Sequence, residues 1–277
     1  MEKAKIALIG IGSWGKKLAP ELDRQANLTY LMHKDSPETA MWTKENFPKV
    51  KSTNNLEEIL SDPTILAVVI ATPIITHFDI ALKALQASKN IFLEKPGGKN
   101  SEELNKLTLE AQKRDLIIQV GYEFTYSEKL KEIKEKIGNE HINKISFVWK
   151  KWGSFKAHPV INLLVHEISI LKALGFNNVK ITKYNETKGD NDPDSIYVEA
   201  KSNNTIITFE ISRASHSKEK IVVIETNENK YELMDENENL IKNEIEEFMS
   251  SIKNKTKPLT DGQFAKEILE TIEQINY

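Results

Sequence analysis

Over the first 120 residues, short apolar runs alternate with stretches whose apolar side chains recur every three or four positions. KIALIG (5–10), NLTYLMH (27–33), ILAVVIAT (65–72), NIFLEK (90–95) and LIIQVGY (116–122) read as strands. SWGKKLAPELDRQ (13–25), PETAMWTKENF (37–47), NLEEILSD (55–62), HFDIALKALQAS (77–88) and SEELNKLTLEAQKRD (101–115) read as helices. Strands that alternate with helices imply βαβ units and a parallel sheet, and a run as apolar as ILAVVIAT suits a central strand covered on both faces.

The pattern changes after Gly121. A helix over 127–137 precedes KISFVWKKW (144–152), which alternates apolar and polar side chains, and a second helix covers 159–174. Five short strands follow between residues 179 and 235 around Asn, Gly and Asp turn signals, so neighbours pair antiparallel with one wet face. Helices over 239–253 and 261–275 close the chain. The expected fold class is therefore α/β, with a doubly wound parallel sheet in a first domain at 1–120. An α+β domain at 121–277 follows, with an open, mainly antiparallel mixed sheet for substrate and oligomerisation.

Composition narrows the function. Hydrophobic residues make up 39% and charged residues 29%, enough apolar material for a core. Lys and Arg number 38 against 41 Asp and Glu, a net charge of −3 with both signs interspersed. A nucleic-acid partner is not expected, because phosphate contacts need a concentrated basic excess. The absence of cysteine excludes disulfides, thiolate metal sites and thiol nucleophiles. No apolar run approaches the roughly 20 residues of a membrane helix, and the first residues show no signal peptide. The expectation is a cytoplasmic protein without a membrane partner. His141, His158 and His216 lack metal-ligand spacing, so no metal is expected. The turn at Asp235, Glu236 and Glu238 reads as solvation.

Gly10-Ile11-Gly12-Ser13-Trp14-Gly15 is a complete G-x-G-x-x-G between a predicted strand and a predicted helix. The first glycine permits a tight turn, the second lets a pyrophosphate approach the backbone, and the third lets helix pack on strand. The helix N-terminus then offers free N–H groups to the anion. The cofactor expected is NAD or NADP. His33 and Lys34 stand where an acidic residue would bind the ribose of NAD, with Asp35 slightly late, which tilts the expectation slightly towards NADP.

Farther on come Ala71-Thr72-Pro73, then His77, then Glu94-Lys95-Pro96. A strand ending in A-T-P, the segment TPIITH at 72–77 and a later strand ending in E-K-P resemble the Gfo/Idh/MocA oxidoreductases. The resemblance implies a Rossmann first domain and hydride transfer to or from a hydroxyl-bearing carbon of a sugar, inositol or nucleotide-sugar. It implies that Thr72, Pro73, His77, Glu94 and Lys95 lie along the cofactor, and that Lys95 reaches the substrate oxygen. Lys95 ends a strand at the edge where doubly wound sheets bind ligands, and its ammonium can stabilise a developing alkoxide.

The family's second catalytic element is an Asp with a His four residues later on a helix. Here His166 matches the histidine and can take the proton of a hydroxyl, whereas Asn162 stands in place of the Asp. In an α-helix the two share one face while Glu167 points elsewhere. Substrate is expected between the nicotinamide and this helix. Tyr122, Asn162 and Trp152 are the candidate substrate contacts, with Tyr126 beside them and Lys150 and Lys151 adjoining Trp152. GYEFTYSE (121–128) departs from the family, where an Arg-aromatic pair and a Pro often occur. Family analogy suggests a homodimer or homotetramer. Two other readings stay open: a catalytically silent dinucleotide-binding sensor, for which Asn162 is the main support, and an imine or bilin reductase, which would not need His166 as a base.

Overall fold

In a computed structural model, residues 3–34, 36–153, 157–188, 194–234 and 239–276 are described. Asp35 and the acidic turn at Asp235, Glu236 and Glu238 lie outside them. The backbone divides into two units. One is Met1–Glu123 with Leu240–Lys266, and the other is Phe124–Asn239 with Glu267–Tyr277.

The first unit is built on six parallel strands. They are β1 (Lys5–Ile9), β2 (Asn27–Met32), β3 (Lys51–Thr53), β4 (Ala67–Ile70), β5 (Asn90–Glu94) and β6 (Ile118–Gly121), in the order β3-β2-β1-β4-β5-β6. Between them run α1 (Gly15–Gln25), α2 (Pro37–Asn46), α3 (Leu56–Leu60), α4 (His77–Gln86) and α5 (Ser101–Lys113). The order reverses beside β1, so the crevice at that reversal lies next to the glycine turn that follows β1. Strands β4 and β5 are buried at every position, as their continuous apolar runs predict. Caps mark the helix starts: Ser36, Asn55 and Asn100 each accept a backbone N–H from the first turn of α2, α3 and α5. The pattern of the sequence misses β3, which is three polar residues at the sheet edge.

The second unit holds α6 (Glu128–Ile137), β7 (Ile142–Trp152), α7 (Val165–Ala173), β8 (Lys180–Thr187), β9 (Ser195–Ser202), β10 (Thr205–Ser212), β11 (Ala214–Thr226) and β12 (Lys230–Met234). Its sheet runs β12-β11-β7-β10-β9-β8, antiparallel except where β7 pairs with β10. Alternation sets one face of β7 inward: Ile145 and Phe147 are buried, and Phe147 stacks on Phe209 with ring centroids 4.8 Å apart. The helix expected over 159–174 opens differently. Residues Val160–Leu164 form a π-turn, closed by the Val165 N–H on the Val160 carbonyl, before α7 continues in α geometry.

The chain ends in α8 (Leu240–Asn254) and α9 (Gly262–Ile272). The segment Leu240–Lys266 packs with the first unit, which differs from the domain division at residue 120. The reason is apolar burial: Ile245 and Phe248 of α8 join the core of Leu8, Leu18, Leu22 and Phe92, and Phe248 meets Phe92 edge-on at 5.6 Å. Gln119 then donates its amide to the Glu244 carbonyl at 2.9 Å. No described helix is long and apolar enough to cross a membrane.

Candidate functional site

The three glycines of the turn do three different jobs. Gly10 has φ +101°, a left-handed backbone that an L side chain resists, and a Cβ there would lie 2.7 Å from the Ala71 carbonyl. A Cβ on Gly15 would collide with the Gly10 carbonyl, so α1 can approach β1 only through a bare Cα. A Cβ on Gly12 would meet nothing within 4 Å. The space over Gly12 is thus open, and Gly12 and Ser13 are exposed beside it. Helix α1 carries no acidic residue in its first turn and no side-chain cap at Trp14, leaving its N-terminal dipole uncompensated. This cradle fits the pyrophosphate of a dinucleotide.

Trp14 adds a tie that the glycine pattern does not announce. Its indole N–H is donated to the Glu94 carboxyl, joining the turn to the end of β5. Glu94 is 8% exposed, and burial pushes its carboxyl up to about 8, although the Trp14 N–H and the neighbouring Lys95 both pull the other way. Lys95 is half-buried at the strand end and precedes Pro96 through a cis peptide bond.

His77 is packed beneath the A-T-P turn. It is buried, and its Nε2 lies 2.7 Å from the Thr72 carbonyl, which makes that nitrogen the protonated one. Desolvation pushes its pKa down to about 4, so the ring is neutral at ordinary pH. Thr76 donates its hydroxyl to Thr72 Oγ1 and to the Pro73 carbonyl, each at 2.8 Å. These contacts fix the turn after β4 that follows the A-T-P sequence.

Two expected substrate contacts are placed elsewhere. Tyr122 is fully buried, tilted against Phe264, with its hydroxyl 3.3 Å from the Pro96 carbonyl. Burial holds its phenol well above the usual range. It braces the E-K-P turn from inside the first unit and lines no surface. Trp152 is 68% exposed and stacks on His216 at 4.8 Å. It has the opposite parity on β7 to Trp149, so it lies on the other face of the sheet. The same parity divides the basic patch: Lys150 pairs with Glu210 at 2.7 Å on the outer face, while Lys151 lies 5.2 Å from the Trp149 ring centroid on the inner one.

His166 lies in the first turn of α7, buried against two rings. Its imidazole meets Phe124 edge-on at 5.2 Å and Trp149 at 5.8 Å. Lys220, paired directly with Trp149 in the β7–β11 register, stands over the same two rings at 2.6 and 4.1 Å. Glu167 is buried beside this group, and desolvation pushes its carboxyl up to about 7 against the pull of Lys220. Sequence reading sent Glu167 elsewhere and missed Phe124, Trp149 and Lys220. The alternation of β7 held the signal for Trp149, which falls on the face of the buried Ile145 and Phe147. Asn162 is half-buried in the π-turn, its N–H donated to the His158 carbonyl at 3.0 Å. Asn162 precedes His166 by four positions, and the π-turn shifts the registry between them without moving them to opposite faces.

His33 is held by its own loop, with Nε2 2.7 Å from Ser52 Oγ and Nδ1 2.8 Å from the Lys34 carbonyl. Lys34 is exposed. Among the described residues no group of three or more His, Asp or Glu side chains could hold a metal ion.

Residues 4–122 match the model of an oxidoreductase family with an NAD-binding Rossmann fold, GFO_IDH_MocA. Among curated proteins the chain is similar to the myo-inositol 2-dehydrogenase of Thermotoga maritima, 26% identical over 141 residues, covering 50% of this chain and 42% of that one. The matches span about two fifths of the length of the curated relatives. Among solved structures it is similar in fold to apo scyllo-inositol dehydrogenase from Lactobacillus casei, with TM-score 0.89 and 15% identity over 99% of this chain and 95% of that one. It is similar also to UDP-N-acetylglucosamine 3-dehydrogenase GnnA from Acidithiobacillus ferrooxidans, with TM-score 0.86 and 18% identity over 99% and 97%.

Proposed function

From the match of residues 4–122 to the Gfo/Idh/MocA oxidoreductases, we propose that the protein is an NAD(P)-dependent dehydrogenase or reductase acting on a hydroxyl-bearing carbon of a sugar, polyol or nucleotide-sugar. The observation that carries this reading is the open cradle over Gly12, next to the uncapped start of α1, after a strand of the same sheet as the strand that precedes Lys95. The nicotinamide, when bound, supplies the hydride acceptor or donor.

The protein's own groups then have separate tasks. Backbone N–H groups of the turn and the α1 dipole hold the pyrophosphate. Lys95, at the ligand edge of β5, holds the substrate oxygen and stabilises negative charge that grows on it as its carbon loses hydride. His166 takes the hydroxyl proton in oxidation and returns it in reduction. Its packing on Phe124 and Trp149 fixes the ring orientation that such a role needs.

The inositol and UDP-sugar dehydrogenases among the relatives support a polyol or nucleotide-sugar substrate. The test is absorbance of the reduced nicotinamide across a panel of inositols, free sugars and UDP-sugars, with NAD and NADP in parallel. Turnover of at least one class that requires Lys95 and His166 supports the proposal. Tight dinucleotide binding with no turnover on any of them would favour the silent sensor.

A further inference from the structure

The first unit carries an acidic pair that the catalytic reading leaves unused. Glu94 ends β5 and Glu244 lies on α8; both are buried, Glu244 to 1% exposure. Both carboxyl groups border the bare Cα of Gly121. A Cβ built on Gly121, the last residue of β6, would lie 3.1 Å from Glu244 Oε1 and 3.2 Å from Glu94 Oε1. The bare Cα of Gly121 is therefore what leaves room for both. Glu94 Oε1 accepts the Trp14 indole N–H, whereas Glu244 Oε1 is buried with no hydrogen-bond partner among the described residues.

Two ionised carboxylates in that space would repel through a weakly screening medium, with no water to solvate them. The surroundings do not offset this. Lys95 faces Glu94, but Glu123 faces both members of the pair and Glu247 faces Glu244. One bound proton removes the conflict, because a protonated carboxyl is a donor and the other group stays an acceptor.

We infer that Glu94 and Glu244 hold a single proton between them at neutral pH, and that Glu244 is through it a positioning residue for the cofactor turn. The shared proton leaves Glu94 as the fixed acceptor for Trp14, and so ties the glycine turn to the strand that carries Lys95. Loss of the proton places two buried anions beneath a turn that must receive a pyrophosphate. Dinucleotide affinity then falls on the alkaline side. That consequence rests on the dinucleotide reading; the shared proton does not.

Infrared spectroscopy of the ligand-free protein tests the proton directly. With Glu167→Gln as the common background, which removes the other carboxyl that burial holds protonated, the otherwise wild-type protein should show the carbonyl band of a protonated carboxylic acid at pH 7 and lose it as pH passes about 8. In Glu244→Gln the band should disappear at least one pH unit lower, because Glu94 then faces Lys95 and the Trp14 N–H without a second carboxylate across Gly121. No such band in the Glu167→Gln background at pH 7, or a band that titrates identically in Glu244→Gln, overturns the proposal. Calorimetry with NADH tests the positioning role. Wild-type affinity should fall by up to about tenfold per pH unit above the transition, while Glu244→Gln should stay flat. Loss of affinity by one constant factor at every pH in Glu244→Gln would show that Glu244 only packs, and would overturn that role. If the Glu244→Gln variant does not fold, the band of the Glu167→Gln background and its pH dependence decide. Absence of NADH binding at any pH contradicts the dinucleotide reading, and the infrared band still decides the shared proton.

Discussion

The indole N–H of Trp14 is donated to the carboxyl of Glu94, so the turn that would hold a cofactor's phosphates is fastened to the residue next to Lys95. Eighty positions of sequence separate the two. Trp14→Phe keeps an aromatic ring and removes the N–H donor. It should lower stability by about 1 kcal/mol, the usual net worth of one hydrogen bond, measured by denaturant unfolding. Affinity for NADH should fall more than stability does, because the turn loses its tie to β5. Unchanged affinity in calorimetry would show that the tie is idle.

Cofactor choice should rest on Lys34. The ring nitrogens of His33 are occupied by Ser52 and by the Lys34 carbonyl, while Lys34 itself is exposed. If Lys34 meets a 2′-phosphate, Lys34→Ala should weaken NADP selectively by roughly 1.5–3 kcal/mol, the value of a charge-assisted hydrogen bond. Equal losses for NAD and NADP, measured by calorimetry, would remove Lys34 from the ribose site.

The acid side of the stability profile should belong to His77. Its folded pKa is depressed to about 4 by burial, so between about 4 and 6.5 the unfolded chain binds a proton that the native one does not. Stability from this residue is present above 6.5 and lost as pH falls towards 4. Glu94 and Glu167, pushed up to about 8 and about 7, act in the opposite sense. Glu167 and the Glu94–Glu244 pair hold protons in the native state, so their contribution declines as pH rises from about 4.5 through those values. His77→Gln should flatten the acid limb and leave the alkaline one in place. Urea unfolding across pH 4–9 reads both.

Turnover should depend on Lys95 and His166 together. Lys95→Ala and His166→Ala should each lower kcat by about 10²–10⁴-fold, the contribution of a positioned acid–base group, with cofactor affinity little changed. Asn162→Asp should raise the His166 pKa and move the acidic limb of the pH–rate profile upward, provided the carboxylate reaches the imidazole from the π-turn. Near-normal turnover of His166→Ala at every pH would make the histidine structural.

The parts of this molecule that were legible in sequence are those written in local pattern. Alternating apolar runs and helical spacing gave the parallel sheet, and Gly10, Gly12 and Gly15 gave the turn, because each glycine answers a requirement of its own few neighbours. Strand β3 escaped because Lys51–Thr53 is short, polar and at an edge. The place of α8 escaped because its evidence is long-range: Phe248 against Phe92, and Gln119 on the Glu244 carbonyl. Family resemblance singled out His166, yet it could not supply Phe124, Trp149 and Lys220, which three separate elements bring together. Strand parity alone puts Trp152 and Trp149 on opposite faces of β7. The π-turn at Val160–Leu164 has no signature in the apolar spacing of the segment.

The most direct test of the account is calorimetry of NADH and NADPH on the wild type and on Gly12→Val. A Cβ at Gly12 meets no atom within 4 Å, so the valine should leave the fold and its circular dichroism unchanged while filling the space the pyrophosphate needs. The account predicts binding of at least one dinucleotide by the wild type and none by Gly12→Val. Wild-type protein that binds neither, or a folded Gly12→Val that binds as tightly as the wild type, would contradict it.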